Sequence, residues 1–340
     1  MRLKPTTAST ALLLASAAAL AFAQSQPPPV LVFSKTAGYR HDSIPTAISA
    51  LQDIADRTSL YDPTFSEDEN LFTSDGLQKF KAIVFLSNSD QVLTSDGETA
   101  FAEWLTGGGS LVGLHAATAC LFNDTAFGVA MGSWFNRHPT IQNATFTKLV
   151  EHETIDMLPD RYNTFEEVYS FRTDPRSVNA TVLLTVDPDS YQDSDKPTPE
   201  GVDAPYYQGS PHPIAWYREG GMNVDLSNGT VPADQAQRMN GRMCMTSLGH
   251  TNETWQSQVH LDHVEAGLRW TLADLSSTNS STSSSSSSSN GRSRTSSPSS
   301  SSSSSSQPSS TMATNSSPMN FRIASFSSLL LSTGLFLLFV

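Results

Sequence analysis

Short apolar runs alternate with amphipathic segments in the first third of the chain. The apolar runs are residues 30–34, 82–86 and 110–114, and each has the length of a buried strand. The first amphipathic segment begins at Asp42 or Ser43, either of which can cap a helix, and the second stops at the glycines 107–109. The apolar positions at helical spacing are Ile44, Ile48, Leu51 and Ile54 in the first segment and Phe101, Trp104 and Leu105 in the second. This alternation predicts an α/β fold with a mostly parallel open sheet and helices on both faces.

The middle of the chain is richer in strands than the beginning. Residues 144–150, 166–171, 181–186, 214–218 and 242–248 are the predicted strands of this part. A last helix is predicted over residues 256–274, with Val259, His263 and Trp270 on one face. We therefore expect extra strands to extend the parallel sheet.

The two ends of the chain predict export and anchoring. Arg2 and Lys4 precede an apolar run, and Ala21-Phe22-Ala23 fits the signal-peptidase pattern, so residues 1–23 are predicted to be a cleaved signal peptide. Residues 24–275 form the predicted globular domain. Residues 276–314 are almost entirely Ser, Thr, Asn and Pro and predict a disordered stalk.

Residues 315–340 have the pattern of a glycosylphosphatidylinositol (GPI) signal. Small residues at 315–317 precede a polar spacer and a terminal apolar run, and Asn315 is the predicted attachment residue. A retained single-pass helix is the alternative, and Arg322 disfavours it because too few uncharged residues follow. The expected location is extracellular, at the cell surface, with a lipid anchor in the plasma membrane or after transfer to the cell wall.

Charge, sequons and cysteines refine this picture. The formal net charge is −13 and no basic stripe is present, which excludes nucleic-acid binding. Two cysteines, Cys120 and Cys244, could form one disulfide or remain two buried thiols. Predicted glycosylation sites in the globular domain are Asn123, Asn143, Asn179, Asn228 and Asn252, and further sequons begin at Asn279 and Asn315.

Three histidine motifs stand where predicted strands end. His41 lies in GYRHD, His115 in GLHAA and His250 in LGHT. In a parallel sheet, loops at the carboxyl ends of strands face one crevice, where ligands bind. Each histidine alone could be a strand-end residue with a satisfied hydrogen bond, but three that converge predict a site. The GLHAA spacing is similar to the nucleophile elbow, with histidine at its centre.

Glu167 is a fourth candidate for the same crevice. Strand alternation would place Phe165, Glu167, Tyr169 and Phe171 on one face. A carboxylate on an aromatic face must be hydrogen-bonded, paired or neutral, and such groups concentrate in functional sites. This inference requires that the face be buried.

Seven motifs occur in order along residues 30–273. They are GYRHDSI at 38–44, GLHAA at 113–117, Met131-Gly132 with Phe135 and His138-Pro139, FEE at 165–167 with Tyr169, HPIAW at 212–216, LGHT at 248–251 and GLRW at 267–270. With these motifs the chain resembles the trehalose-utilisation (ThuA-like) family, whose fold is like that of class I glutamine amidotransferases. The resemblance implies a role in sugar utilisation, chiefly of trehalose and related disaccharides, while the stalk and anchor signal favour wall or extracellular glycans.

The first interpretation is a protein that binds or acts on a carbohydrate. The predicted catalytic residues are His41, His115, Glu167 and His250, with the first two histidines as acid and base and the glutamate as orienter or second acid. The predicted substrate-binding residues are Arg40, Asp42, His138 and His212. His212 precedes its strand and reaches the crevice only if that strand is antiparallel.

Two other interpretations remain open. In one, His41, His115, His138, His212 and His250 supply metal ligands, although their spacing lacks an H-x-x-x-H motif, and the site residues above were assigned without a metal. In the other, the chain is a non-catalytic surface glycoprotein that keeps the fold. The sequence identifies neither a cofactor nor a protein partner. Glutaminase chemistry needs a thiolate at the elbow, and this elbow presents His115.

Overall fold

A mixed β-sheet is the centre of the computed structural model, which describes residues 26–193, 208–220 and 241–273. The strands are β1 (Pro29–Phe33), β2 (Asp62–Ser66), β3 (Ala82–Leu86), β4 (Ser110–Leu114), β5 (Phe135–Arg137), β6 (Gln142–Lys148), β7 (Arg161–Glu166), β8 (Ser170–Phe171), β9 (Thr181–Val186), β10 (Ala215–Glu219) and β11 (Arg242–Thr246). The α-helices are α1 (Ile44–Thr58), α2 (Ser74–Leu77), α3 (Ser95–Thr106), α4 (Thr125–Met131) and α5 (Gln258–Leu272).

Nine strands form the main sheet, in the order β2-β1-β3-β4-β11-β10-β9-β6-β7. The five strands from β2 to β11 are mutually parallel, and β10, β9, β6 and β7 continue the sheet with antiparallel pairings. β5 and β8 pair separately as a short antiparallel ribbon. The predicted α/β class, mostly parallel and open with extra strands from the middle of the chain, is therefore confirmed.

Helices cover both faces of the parallel half, as predicted. On one face Leu31 and Phe33 of β1 pack in a cluster with Phe101 of α3 and Phe127 of α4. On the other face the alternate residues of the same strand pack against helices α1 and α5. These strands are continuous apolar runs because both of their faces are buried.

The strand predictions miss β2 and β5 and misplace the strand around residue 166. Residues 166–171 are not one strand, because β7 ends at Glu166 and β8 begins at Ser170. β2 was missed because its sequence, DPTFS, contains turn-forming residues. It lies at the sheet edge, where its Pro63 is tolerated because an edge strand needs only one hydrogen-bonding neighbour.

The structure describes both cysteines, some of the predicted glycosylation sites and none of the predicted terminal signals. Cys120 and Cys244 are both free and buried. Of the two alternatives left open by the sequence, the structure has two buried thiols and not a disulfide. Of the sequon asparagines, Asn123, Asn143 and Asn179 are exposed, while Asn252 is half-buried and accepts a hydrogen bond from Thr46. The remaining sequons, the signal peptide, the stalk and the GPI signal with Asn315 lie outside the described residues. Within the described ranges, no helix has the length and apolar character needed to span a bilayer.

Candidate active site

Three loops at the carboxyl ends of parallel strands bring the predicted histidines together. His41 follows β1, His115 follows β4 directly, and His250 follows β11, the neighbour of β4. The ring of His41 lies 4.5 Å from that of His115 and 5.1 Å from that of His250, measured between centroids. The side chain of Ser43 links two of these loops, since its hydroxyl donates to the carbonyl of Gly249 at 3.4 Å.

His115 stands at a sharp turn between β4 and a 3-10 helix. Its φ is +52°, a left-handed conformation that L-residues rarely adopt and that marks strained functional positions. Its ring is fully buried, with Nδ1 2.9 Å from the carbonyl oxygen of Ser247 and Nε2 3.0 Å from Nε2 of His41. Gly113 precedes this turn because a Cβ there would lie 2.5 Å from the sulfur atoms of both Met131 and Met245.

Glu167 joins the histidines, but for a different reason than alternation along a strand. The strand ends at Glu166, and Phe165, expected on the same buried face, is 48% exposed. The path through β10, β9 and β6 makes four antiparallel steps, so β7 runs in the direction of β4 and its carboxyl end points to the same edge. The chain then leaves the sheet, and Glu167 is only 6% exposed.

The carboxylate of Glu167 contacts three rings. Its Oε2 lies 3.0 Å from Nδ1 of His250 and 3.6 Å from Nε2 of His115, and its Oε1 lies 3.1 Å from Nε2 of His138. The ligand atoms of His41, His115, Glu167 and His250 all lie within 4.8 Å of one another. The four predicted catalytic residues are therefore one cluster, with His138 at its margin.

Glu166 is a site residue that sequence reasoning missed. It is fully buried and accepts hydrogen bonds from the backbone N–H of Gly249 at 2.9 Å and of His250 at 3.2 Å, and from the hydroxyl of Thr254 at 2.7 Å. These bonds fix the loop that carries His250. The only signal in the sequence was a second glutamate beside Glu167, which the alternation pattern placed on the opposite face.

Tyr169 is the other contributor to which the sequence assigned no role. Strand alternation places it on the face of Glu167, and in the structure its hydroxyl lies 3.1 Å from Nε2 of His115. Burial, followed by the charges of the neighbouring glutamates, raises the pKa of this phenol well above its ordinary value. It therefore stays protonated and can donate to the imidazole nitrogen.

The electrostatics divide the cluster into neutral and ion-paired groups. Burial, reinforced by His250, lowers the pKa of His41 to about 4. Burial and then His41 lower the pKa of His115 well below its usual range. Both rings are therefore neutral at pH 7.

His250 and Glu167 shift in opposite directions. Burial disfavours the charged form of each, but their mutual hydrogen bond outweighs it. As a result the pKa of His250 is raised and that of Glu167 is lowered. The cluster thus combines an ion pair with two neutral imidazoles.

The predicted substrate-binding residues are placed less uniformly than the cluster. Arg40 is exposed and pairs with Glu67 at 2.7 Å, and Asp42 is exposed beside His41. His212 precedes an antiparallel strand and does reach this edge, where its Nε2 binds the carbonyl of Tyr169 at 2.7 Å. This hydrogen bond helps to position the backbone of Tyr169. His212 also lines a separate cavity of about 520 Å³.

The protein has a class I glutamine amidotransferase-like fold and carries a cluster of histidines and a glutamate at the carboxyl ends of its strands. The chain belongs to the ThuA family, described as trehalose utilisation, whose model matches residues 29–271. No curated protein matches the chain in sequence.

Two solved structures support the same fold assignment. A protein described as ThuA-like from Bacteroides uniformis has 18% identity and a TM-score of 0.53, with 75% of this chain and 96% of that chain covered. A second, from Parabacteroides merdae, has 17% identity and a TM-score of 0.50, with 72% and 90% covered. At these identities the likeness establishes the fold and not the reaction.

Proposed function

We propose that this chain is an extracellular ThuA-family protein that binds or acts on a carbohydrate, a trehalose-like disaccharide or a wall glycan, in the crevice formed by His41, His115, Glu167 and His250. The observation that carries the proposal is the convergence of these four side chains at the carboxyl edge of the sheet. The trehalose-utilisation description of the family supports a sugar as the ligand.

The chemistry of the cluster suits a polyhydroxylated ligand. Sugar hydroxyls are both donors and acceptors, and the cluster offers neutral imidazoles together with a carboxylate. Access is from the side of His250 and His138, whose side chains are 20% and 35% exposed.

Tyr39 supplies an apolar surface beside these polar groups. Its side chain is 66% exposed, and its ring meets the ring of His41 edge-on at 4.7 Å. The C–H face of a pyranose can pack on an exposed aromatic ring in this position. We assign Tyr39 as the stacking platform for the sugar.

A binding measurement on three proteins tests this function. Wild type, Tyr39→Ala and the control Tyr39→Phe are titrated calorimetrically with trehalose and with β-glucan, chitin and mannan oligosaccharides. We expect wild type to bind at least one of these sugars, Tyr39→Phe to bind it equally, and Tyr39→Ala to bind about tenfold more weakly. A wild type that binds none of them, or an alanine variant that binds as tightly as wild type, contradicts the proposal.

The location is proposed from the signals at both ends of the chain. The small residues, spacer and apolar run of residues 315–340 support a GPI anchor at Asn315, on the membrane or after transfer to the wall. We expect phosphatidylinositol-specific phospholipase to release the membrane-held protein. An antibody to residues 329–340 should not bind the released protein, because the tail is removed when the anchor is attached. A protein that keeps the tail epitope and stays in the membrane fraction after treatment contradicts the anchor.

A further inference from the structure

The geometry points to a transition-metal site of the zinc type in this cluster, with Nε2 of His41, Nε2 of His115, Nδ1 of His250 and a carboxylate oxygen of Glu167 as the ligands. This inference deepens the proposed function and rests on the same crevice, since it names a cofactor for it. When bound, the ion would act as a Lewis acid toward an oxygen of the ligand.

Four of the six distances between these atoms are close to those between the ligands of a tetrahedral ion. Nitrogen and oxygen ligands about 2.0–2.1 Å from zinc lie about 3.3–3.4 Å apart in a tetrahedron. Here Nε2 of His115 lies 3.0 Å from the His41 nitrogen, 3.3 Å from the His250 nitrogen and 3.6 Å from the Glu167 oxygen. The His250 and Glu167 atoms are 3.0 Å apart, and every pair in the set lies within 4.8 Å.

Hydrogen bonds alone do not account for this convergence. The carbonyl oxygen of Ser247 only accepts, so Nδ1 of His115 is the donor in this contact, and in that tautomer Nε2 carries one lone pair. Three polar atoms approach that lone pair within 3.3 Å: Nε2 of His41, Nδ1 of His250 and the hydroxyl of Tyr169. One lone pair accepts one good hydrogen bond, whereas a cation can bind several such lone pairs together.

The surrounding contacts are those that metal ligands require. A ligating histidine usually donates its other N–H to a carbonyl or carboxylate, as His115 does to Ser247. A ligating carboxylate is usually hydrogen-bonded as well, and the second oxygen of Glu167 lies 3.1 Å from His138. The buried carboxylate of Glu166 holds the His250 backbone from outside the cluster. His138 and His212 are therefore supporting residues in this arrangement and not ligands.

The test uses the mature protein released from cells, with Zn²⁺ or Co²⁺ alone and no carbohydrate, so that this inference and the sugar proposal can fail separately. After removal of metal with a chelator, dialysis against Zn²⁺ and elemental analysis give the stoichiometry, and calorimetry gives the Kd. We expect one equivalent of Zn²⁺ in wild type. With Co²⁺ we expect the strong visible absorption of a four-coordinate ion, because geometry determines that spectrum.

Two ligand variants and one matched control decide the outcome. Glu167→Gln keeps the shape of the side chain, and His250→Gln alters a partly exposed residue, so at least one of them should fold. Each is expected to weaken Zn²⁺ binding by about 10- to 100-fold or more. The control His152→Gln changes a half-buried histidine that binds Thr154, outside the cluster, and should keep one equivalent.

Three results would overturn the inference. They are the absence of stoichiometric Zn²⁺ in wild type, undiminished affinity in either ligand variant that folds by circular dichroism, and the weak spectrum of six-coordinate Co²⁺. A wild type that binds Zn²⁺ but none of the tested sugars would leave the metal site standing and remove the carbohydrate proposal.

Discussion

At the scale of single residues, His115 combines a positive φ, complete burial and a neutral ring. The turn that a nucleophile elbow uses to expose a serine or cysteine here directs an imidazole toward His41, Tyr169 and His250. Because Gly113 leaves room for two methionine sulfurs under the turn, the backbone path and the local packing depend on each other. The elbow geometry therefore serves a cluster and not a single nucleophile.

The same residue leads to a prediction about glutamine. Cys120 is the cysteine nearest the elbow in sequence, and its Sγ donates to the carbonyl of Ala117 at 3.3 Å. Burial, followed by Asp124 and Asp90, raises the pKa of this thiol well above its usual range, so it is not a thiolate at neutral pH. We expect no glutamine hydrolysis above background, measured as glutamate release, in wild type and in Cys120→Ser alike. Activity in wild type that Cys120→Ser abolishes would show a thiol nucleophile.

Most residues of the cluster could be predicted from the sequence, and the structure added roles for Glu166 and Tyr169. His41, His115 and His250 could be predicted because each follows a strand of a parallel sheet, and that rule fixes where their loops meet. Glu166 and Tyr169 could not be assigned roles, since their partners are backbone and ring atoms distant in sequence. Glu167 was found through an alternation that the structure does not contain, so its identification rested on the burial requirement of a carboxylate.

At the scale of elements, the buried parallel strands were the most predictable part of the fold. β3 and β4 match their predicted bounds, because apolar runs with both faces buried leave little choice of register. The prediction errors lie at the edge of the sheet and at the end of a strand. β2 is a polar edge strand, and the segment after β7 leaves the sheet to cross its carboxyl edge, which alternation along a single strand cannot reveal.

The departure of that segment from the sheet is what builds the site. If residues 166–171 continued as one strand, Glu167 would remain in the sheet with Phe165. Instead the break after Glu166 lets one carboxylate hold the His250 loop and the next contact the histidine rings. Two adjacent glutamates thus perform different tasks because the strand ends between them.

At the scale of the whole molecule, buried neutral histidines tie stability to pH. His260 and His263 in α5 are buried away from the cluster, and the ring of His260 packs edge-on against Trp255 at 4.9 Å. Burial, followed by His263, lowers the pKa of His260 from 6.5 to about 3. Neither nitrogen of this ring has a hydrogen-bond partner among the described residues, so nothing in its surroundings favours the charged form.

The pH dependence of unfolding follows from that shift. Between pH 6.5 and about 3 the unfolded chain binds a proton at His260 that the folded chain does not, so stability is complete above pH 6.5 and is lost as the pH falls. From pH 7 to pH 5 this histidine alone should reduce the free energy of unfolding by about 2 kcal/mol. The effect is measured by urea unfolding of wild type and His260→Leu at both pH values. Between pH 7 and pH 5, the free energy of unfolding of the leucine variant should fall by about 2 kcal/mol less than that of wild type. Apart from His263, whose charge interacts with that of His260, the other histidines titrate equally in both proteins, so the difference between the two losses reports mainly on His260. Equal losses in the two proteins would mean that His260 is not held neutral in the folded domain.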